Sequence, residues 1–106
     1  MKRYNILFGS GAKEEIEAIY NWYELQKEGL GLEFLSELES IVEIIGDNPF
    51  TFKKAYLHFQ RAVLFRFPYL IYHEVIEQNS EAEILVVIHS SQNPKTATKR
   101  LKNKKK

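Results

Sequence analysis

Residues 61–94 read RAVLFRFPYLIYHEVIEQNSEAEILVVIHSSQNP, and this stretch decides the fold class. The runs on either side of Pro68 are rich in β-branched and aromatic residues, which is the composition of strands, and a proline between them marks a turn. After a polar turn at 78–81, the run at 84–88 is apolar at every position, which is typical of a strand buried on both faces. The stretch therefore predicts strands at 61–67, 69–76 and 84–88 that form an antiparallel meander.

Upstream of this stretch, the apolar residues change from a strand period to a helical period. Residues 4–8 predict a short first strand, and two amphipathic helices follow it, centred on 12–23 and 34–45. Gly29 and Gly31 lie between the helices, so the two should pack as an antiparallel hairpin. The predicted order is β-α-α-β-β-β: an α+β fold with a helical hairpin on one face of a mainly antiparallel, four-stranded sheet.

This arrangement leaves one face of the predicted sheet uncovered. Two helices cover a single face, yet the run at 84–88 is apolar on both sides. The second face could be covered by the C-terminal segment, by a second copy of the chain, or by a different chain. We favour a different chain, because large exposed apolar surfaces mark interaction sites.

The charge of the chain is divided between a body and a tail. Residues 1–94 carry 8 basic and 14 acidic side chains, whereas residues 95–106 carry 7 basic side chains and no acidic ones. The prediction is a single domain over 1–94, followed by a basic C-terminal arm over 95–106 that is partly disordered. Ala97 and Leu101 could give this arm one amphipathic turn.

Composition also excludes several classes of protein and site. The chain of 106 residues has no cysteine, so disulfide frameworks, thiolate metal sites and cysteine nucleophiles are excluded. No window approaches the ~18 apolar residues of a membrane span, and no histidines and carboxylates show metal-ligand spacing. We therefore expect a cytoplasmic protein without metal or cofactor and without a membrane partner.

Three segments resemble the RelE/ParE superfamily of bacterial toxins from type II toxin–antitoxin modules, which include plasmid-stabilising modules. These segments are the opening at 4–16, the Phe67-Pro68-Tyr69 turn leading into Ile71-Tyr72, and the ending Ile88-His89-Ser90-Ser91-Gln92-Asn93-Pro94. The resemblance covers about residues 3–100. It implies a cognate antitoxin that wraps the toxin, which would supply the missing cover of the sheet.

The two branches of this superfamily act differently. The RelE-like branch cleaves messenger RNA on the ribosome, and the ParE-like branch inhibits DNA gyrase without nuclease residues. RelE-like toxins place an arginine where this chain has Leu70 and often end with a catalytic tyrosine, which 95–106 lack. The resemblance therefore favours the ParE-like branch and a non-catalytic inhibitor. The alternatives are a metal-independent, RelE-like endoribonuclease and a degenerate member that binds only antitoxin.

Candidate site residues follow from these alternatives. In a nuclease, His89 would act as acid or base, and Arg61 and Arg66 would bind phosphate. The structural alternative for His89 is a histidine bonded to the backbone of the Ser90-Ser91 turn. For contacts with the target or the antitoxin, the predicted residues are Arg61, Arg66, Tyr72, His89, Lys95, Lys99 and Arg100.

Overall fold

The computed structural model describes residues 3–104. A short 3-10 turn, Glu77–Asn79, precedes the last strand. The regular elements, in chain order, are β1 (Asn5–Phe8), α1 (Ser10–Gln26), α2 (Leu30–Asp47), β2 (Lys54–Tyr56), β3 (Phe59–Val63), β4 (Tyr69–Ile76), β5 (Glu81–His89) and α3 (Pro94–Lys104).

The strands form one mixed sheet in the order β1-β5-β4-β3-β2. β1 pairs in parallel with β5, and the remaining pairs are antiparallel. This arrangement confirms the predicted α+β fold with a mainly antiparallel sheet. The predicted number of four strands was wrong, because β2 adds a fifth strand at the edge.

β2 was missed because it does not have the apolar alternation of a half-buried strand. Lys54 and Ala55 are both exposed, and Leu57, which follows the strand, has a left-handed φ of 52° that turns the chain back into β3. The strand forms through backbone pairing with Gln60 and Phe59. An edge strand of three residues with a charged side chain is a common device against edge-to-edge aggregation.

The helical hairpin covers one face of the sheet, as predicted. Gly29 joins the helices with a φ of 89°, and Gly31 lets them approach so closely that a Cβ there would lie 2.6 Å from the carbonyl oxygen of Tyr20. The carboxylate of Glu24 in α1 accepts the backbone N–H groups of Gly29 and Leu32, at 3.0 and 3.1 Å, where α2 begins. The core on this face includes the buried residues Ala12, Phe34, Leu38, Ala62, Leu64, Phe67, Ile71, Ile84 and Val87.

Helix α3 covers the second face of the sheet. Ala97 and Leu101, one helical turn apart, are each only 1% exposed. They form a second buried cluster with the sheet residues Phe59, Tyr72, Val86 and Ile88. Our preference for a partner chain as the cover of this face was therefore wrong, because the C-terminal segment supplies it.

The basic arm is accordingly part of the fold. α3 runs for three turns, from Pro94 to Lys104, where the sequence indicated one amphipathic turn and a disordered end. Two buried side chains are enough to dock it, because the sheet supplies the apolar surface that the arm itself lacks. The part of the predicted disorder that falls on Lys105 and Lys106 lies outside the described residues.

Candidate functional site

Arg61 and Arg66 lie on opposite sides of the sheet. Arg61 is exposed on β3, directly opposite Tyr72 of β4, so it shares the face on which α3 packs. β3 ends at Val63 rather than at residue 67, and Arg66 belongs to the loop between β3 and β4. Its guanidinium donates to Glu33 of α2, on the helical face, at 2.6 Å. The structure therefore does not bring the two predicted phosphate ligands together.

His89 ends β5 and makes the contacts of a turn histidine. Its Nδ1 accepts the backbone N–H of Ser91 at 3.1 Å and lies 2.8 Å from the Ser91 hydroxyl oxygen. The ring packs edge-to-face on Tyr69, with 5.2 Å between the centroids. An Nδ1 that accepts a backbone N–H leaves the proton of the neutral ring on Nε2. These are the contacts of the structural alternative that the sequence offered for His89.

A cleft of about 400 Å³ opens beside His89, and its other walls are aromatic and polar. Burial raises the pKa of Tyr69 above its usual value, and the neighbouring Tyr23 hydroxyl raises it further. Tyr69 therefore stays a neutral hydroxyl at cellular pH and is not a candidate base. The cleft is lined by Trp22, Tyr23, Tyr69, His89, Ser91 and Gln92.

Arg100 is engaged inside the protein. Its guanidinium forms an ion pair with Glu15 of α1 and donates to the Leu85 carbonyl oxygen at 3.2 Å. The other oxygen of Glu15 accepts the Val87 N–H at 3.0 Å. β1 pairs with β5 only as far as Ile84. Beyond this residue, Glu15 and Arg100 bind backbone groups of β5 that a neighbouring strand would otherwise pair. Arg100 thus connects α3 to α1 and β5.

The three remaining predicted contact residues differ in their accessibility. Lys95 and Lys99 are exposed on α3 and can reach a partner. Tyr72 is only 2% exposed, because α3 packs over it. The prediction that Tyr72 contacts a partner at the surface was wrong for the fold with α3 in place. The alternating pattern of β4 does not show which face of the sheet a C-terminal helix covers, so the burial of Tyr72 could not be predicted from it.

A buried polar cluster anchors the loop that follows α2. His73 is fully buried, and its Nε2 donates to the Pro49 carbonyl oxygen at 3.0 Å. Gln60 donates to the same oxygen at 3.0 Å and to the Phe52 carbonyl oxygen at 2.9 Å. Burial lowers the pKa of His73, and its hydrogen bond to Pro49 opposes this shift. The cluster holds the loop in place and makes His73 a structural residue.

An apolar surface groove follows the junction of the two long helices. Two adjoining hollows, of about 370 and 570 Å³, share Phe8, Leu35 and Leu38. β1, which carries Phe8, has β5 as its only neighbour among residues 3–104 and presents its outer edge to solvent. The arrangement can accept an amphipathic helix in the groove and an extended segment on β1. The sequence did not reveal this groove, because its residues read as ordinary core positions of amphipathic helices.

Two features are absent from the described part of the chain. Within residues 3–104, no three His, Cys, Asp or Glu side chains cluster in a way that could hold a metal ion. None of the helices in this part is both long enough and apolar enough to cross a membrane.

Comparison with known proteins gives one family match. The sequence profile of the family described as "ParE toxin of type II toxin-antitoxin system, parDE" matches residues 6–94. No protein with a curated description matches the sequence significantly.

Two solved structures share the fold at low sequence identity. A structure described as the chromosomal ParDE TA system from P. aeruginosa has a TM-score of 0.71 at 15% identity, and the match covers 84% of this chain and 98% of that one. The isolated E. coli RelE toxin has a TM-score of 0.62 at 14% identity, with 94% of this chain and 97% of the other covered. At these identities, the likeness shows a common fold.

Proposed function

The chain belongs to the ParE toxin family of type II toxin–antitoxin systems, and on this premise we propose that it stops growth by binding and inhibiting DNA gyrase. In this proposal it acts in the bacterial cytoplasm as a non-catalytic inhibitor without a cofactor. Family membership implies an antitoxin partner, and we propose that this antitoxin neutralises the toxin.

The observation that carries the choice of a non-catalytic inhibitor is the dispersal of the candidate nuclease residues. Metal-free RNA cleavage needs a base, an acid and cations around one phosphate. Arg61 is on the face covered by α3, and Arg66 is paired with α2 on the other face. His89 is bonded into its own turn, and Leu70 holds the position of the RelE-like arginine. These placements favour gyrase over the ribosome and mRNA as the target.

The groove at Phe8, Leu35 and Leu38 is the surface that best suits the antitoxin. Its walls are apolar. Glu17, Glu39 and Lys13 line its rim, and Glu43, which also lines it, forms an ion pair with Arg3 at 3.1 Å. An antitoxin segment with an apolar stripe would fit the walls, and basic residues beside this stripe would fit Glu17 and Glu39. The free edge of β1 beside the groove can pair with an extended continuation of the same segment.

A supercoiling assay with purified DNA gyrase tests the proposed target. The purified protein should block supercoiling, and an equimolar cognate antitoxin should restore it. Primer-extension mapping on translating ribosomes is the matched control, because only a nuclease leaves cuts in the A-site codon. Unaffected supercoiling together with A-site cuts would establish the RelE-like alternative. Antitoxin binding without either activity would identify a degenerate member.

A further inference from the structure

Phe65 stands out among the apolar side chains because its exposure is nearly complete. It is 98% exposed, whereas the next most exposed large apolar residue, Leu25, is 84% exposed. Phe65 lies in the loop between β3 and β4, hereafter the Phe65 loop, which comprises residues 64–68. The other apolar residues of this loop, Leu64 and Phe67, are buried in the core.

Several bonds from α2 fix the backbone of the Phe65 loop. The carboxylate of Glu37 accepts the N–H of Phe65 at 2.5 Å and the N–H of Arg66 at 3.1 and 3.2 Å. Arg66 donates to Glu33 at 2.6 Å, and its guanidinium lies 5.1 Å from the centre of the Phe67 ring. The loop is therefore held between a core aromatic ring and two helix carboxylates.

The combination of a fixed loop and a fully exposed ring suggests binding. Exposing a phenyl ring to water has no stabilising effect on the fold, and the bonds that hold the loop involve its backbone and Arg66, so a polar residue would fit at position 65 equally well. An aromatic side chain on a fixed backbone has few rotatable bonds to order when it enters a pocket, and buried aromatic anchors carry much of the binding energy at interfaces.

We propose that Phe65 is the anchor by which this chain binds its target protein, inserting its ring into an apolar pocket of that target. This inference rests on the proposed function, in which the chain acts by binding a large protein. It adds a contact residue on the toxin and the chemistry of the complementary site on the target.

The ring, rather than the charges around the loop, sets the chemistry of the complementary pocket. The guanidinium of Arg66 is engaged by Glu33, and the carboxylate of Glu37 is engaged by the two backbone N–H groups. Arg66 and Glu33 offset each other, whereas Glu37 keeps its negative charge, because the N–H groups that it accepts are neutral. Binding through Phe65 should depend on apolar burial, and its contribution should change little with ionic strength.

The antitoxin and a second copy of the chain are less suitable occupants. The groove at Phe8, Leu35 and Leu38 already offers the antitoxin a continuous apolar surface, and Phe65 does not line it. For a second copy, the ring would need an open apolar socket in this chain. The cleft at Trp22 and His89 has mixed aromatic and polar walls, and a ring placed in the groove at Phe8, Leu35 and Leu38 would block the surface that we propose for the antitoxin.

The test compares Phe65→Ser with Leu57→Ser. Leu57 is the matched control, because it is a half-exposed apolar residue in the turn at the opposite end of β3. Three quantities should be measured for each variant: growth arrest after induction, the concentration that half-inhibits gyrase supercoiling, and affinity for the antitoxin. Thermal unfolding and size-exclusion chromatography with light scattering should accompany them, to check folding and oligomeric state.

We expect Phe65→Ser to lose growth arrest and to raise the half-inhibitory concentration about thirtyfold or more, which is the loss seen when a dominant interface aromatic is truncated. Its thermal midpoint and its antitoxin affinity should match those of the parent protein, and Leu57→Ser should behave as the parent protein in every assay. The shift caused by Phe65→Ser should be similar at low and high salt.

Three results for Phe65→Ser would overturn the inference. Phe65→Ser could arrest growth and inhibit gyrase as strongly as the parent protein, or it could lose antitoxin affinity instead. It could also convert a dimer to a monomer, which would assign the ring to a contact between copies. A parent protein that neither arrests growth nor inhibits gyrase would refute the proposed function, and the inference with it. If the parent protein arrests growth without inhibiting gyrase, the growth assay still tests the anchor: loss of arrest by Phe65→Ser supports it, and retained arrest refutes it.

Discussion

The substitution Leu101→Ala tests whether α3 is part of the cooperative fold. Leu101 is 1% exposed and packs in the cluster that contains Phe59, Tyr72 and Val86. Truncating a buried leucine to alanine removes about 2–5 kcal/mol of unfolding free energy, because it loses transfer free energy and leaves a cavity. We expect about 3 kcal/mol, since a helix docked by two buried side chains can move to fill part of the cavity.

The measurement is urea unfolding followed by the fluorescence of Trp22. Trp22 is the only tryptophan of the chain and lies on α1, which belongs to the helical hairpin on the opposite face of the sheet from α3. A loss of about 3 kcal/mol lowers the midpoint by about 2 M if the m-value is about 1.5 kcal/mol per M. Lys102→Ala, at the exposed neighbouring position, is the control and should change the midpoint very little.

A loss of less than about 0.5 kcal/mol for Leu101→Ala, which is the effect of an ordinary surface substitution, would show that α3 is not part of the cooperative fold. The same conclusion follows if circular dichroism shows the loss of α3 in an early transition while the Trp22 transition stays where it was. In either case α3 would be a loosely attached arm, and the second face of the sheet would be open to a partner.

Three further substitutions test other parts of the structure. Glu15→Ala should lower the unfolding free energy by about 1–3 kcal/mol, because it leaves the Val87 N–H without its acceptor; thermal unfolding measures this, and an unchanged midpoint would contradict it. Gly31→Ala should cost about 1–3 kcal/mol, since a Cβ would collide with α1, and equal stability in urea would show that the helices separate easily. Burial favours the neutral form of His73 in the fold, so the unfolded chain binds more protons as the pH falls. Stability should therefore decrease as the pH drops below about 6.5, the ordinary histidine pKa. His73→Gln should reduce this loss between about pH 6.5 and 5, and an identical pH profile for both proteins would refute the assignment.

The elements that could be predicted from the sequence are those whose apolar pattern is complete within one short window. The apolar stripes of α1 and α2 and the continuous apolar run of β5 are visible in single windows, because each follows its own period. β2 has no such pattern, since it is an exposed edge strand held by backbone pairing. α3 has only two apolar contacts, Ala97 and Leu101, and a helix of eleven residues is marginal without the sheet beneath it.

The candidate site was harder to predict, because charge in a sequence does not show which partner a residue has. Arg100 was expected to contact another molecule, yet its partner is Glu15, which lies 85 positions earlier in the chain. Tyr72 was expected at the surface, and α3 covers it. Phe65 was placed within a strand at 61–67, and only the early end of β3 at Val63 reveals that its ring stands in solvent.

The central claim, inhibition of gyrase by a non-catalytic toxin, is tested most directly by gyrase supercoiling of relaxed plasmid DNA in the presence of the purified protein. The account predicts dose-dependent inhibition that the cognate antitoxin reverses and that His89→Ala leaves unchanged, because His89 has no catalytic role in it. Full supercoiling at a large molar excess of the folded protein over gyrase would contradict the account.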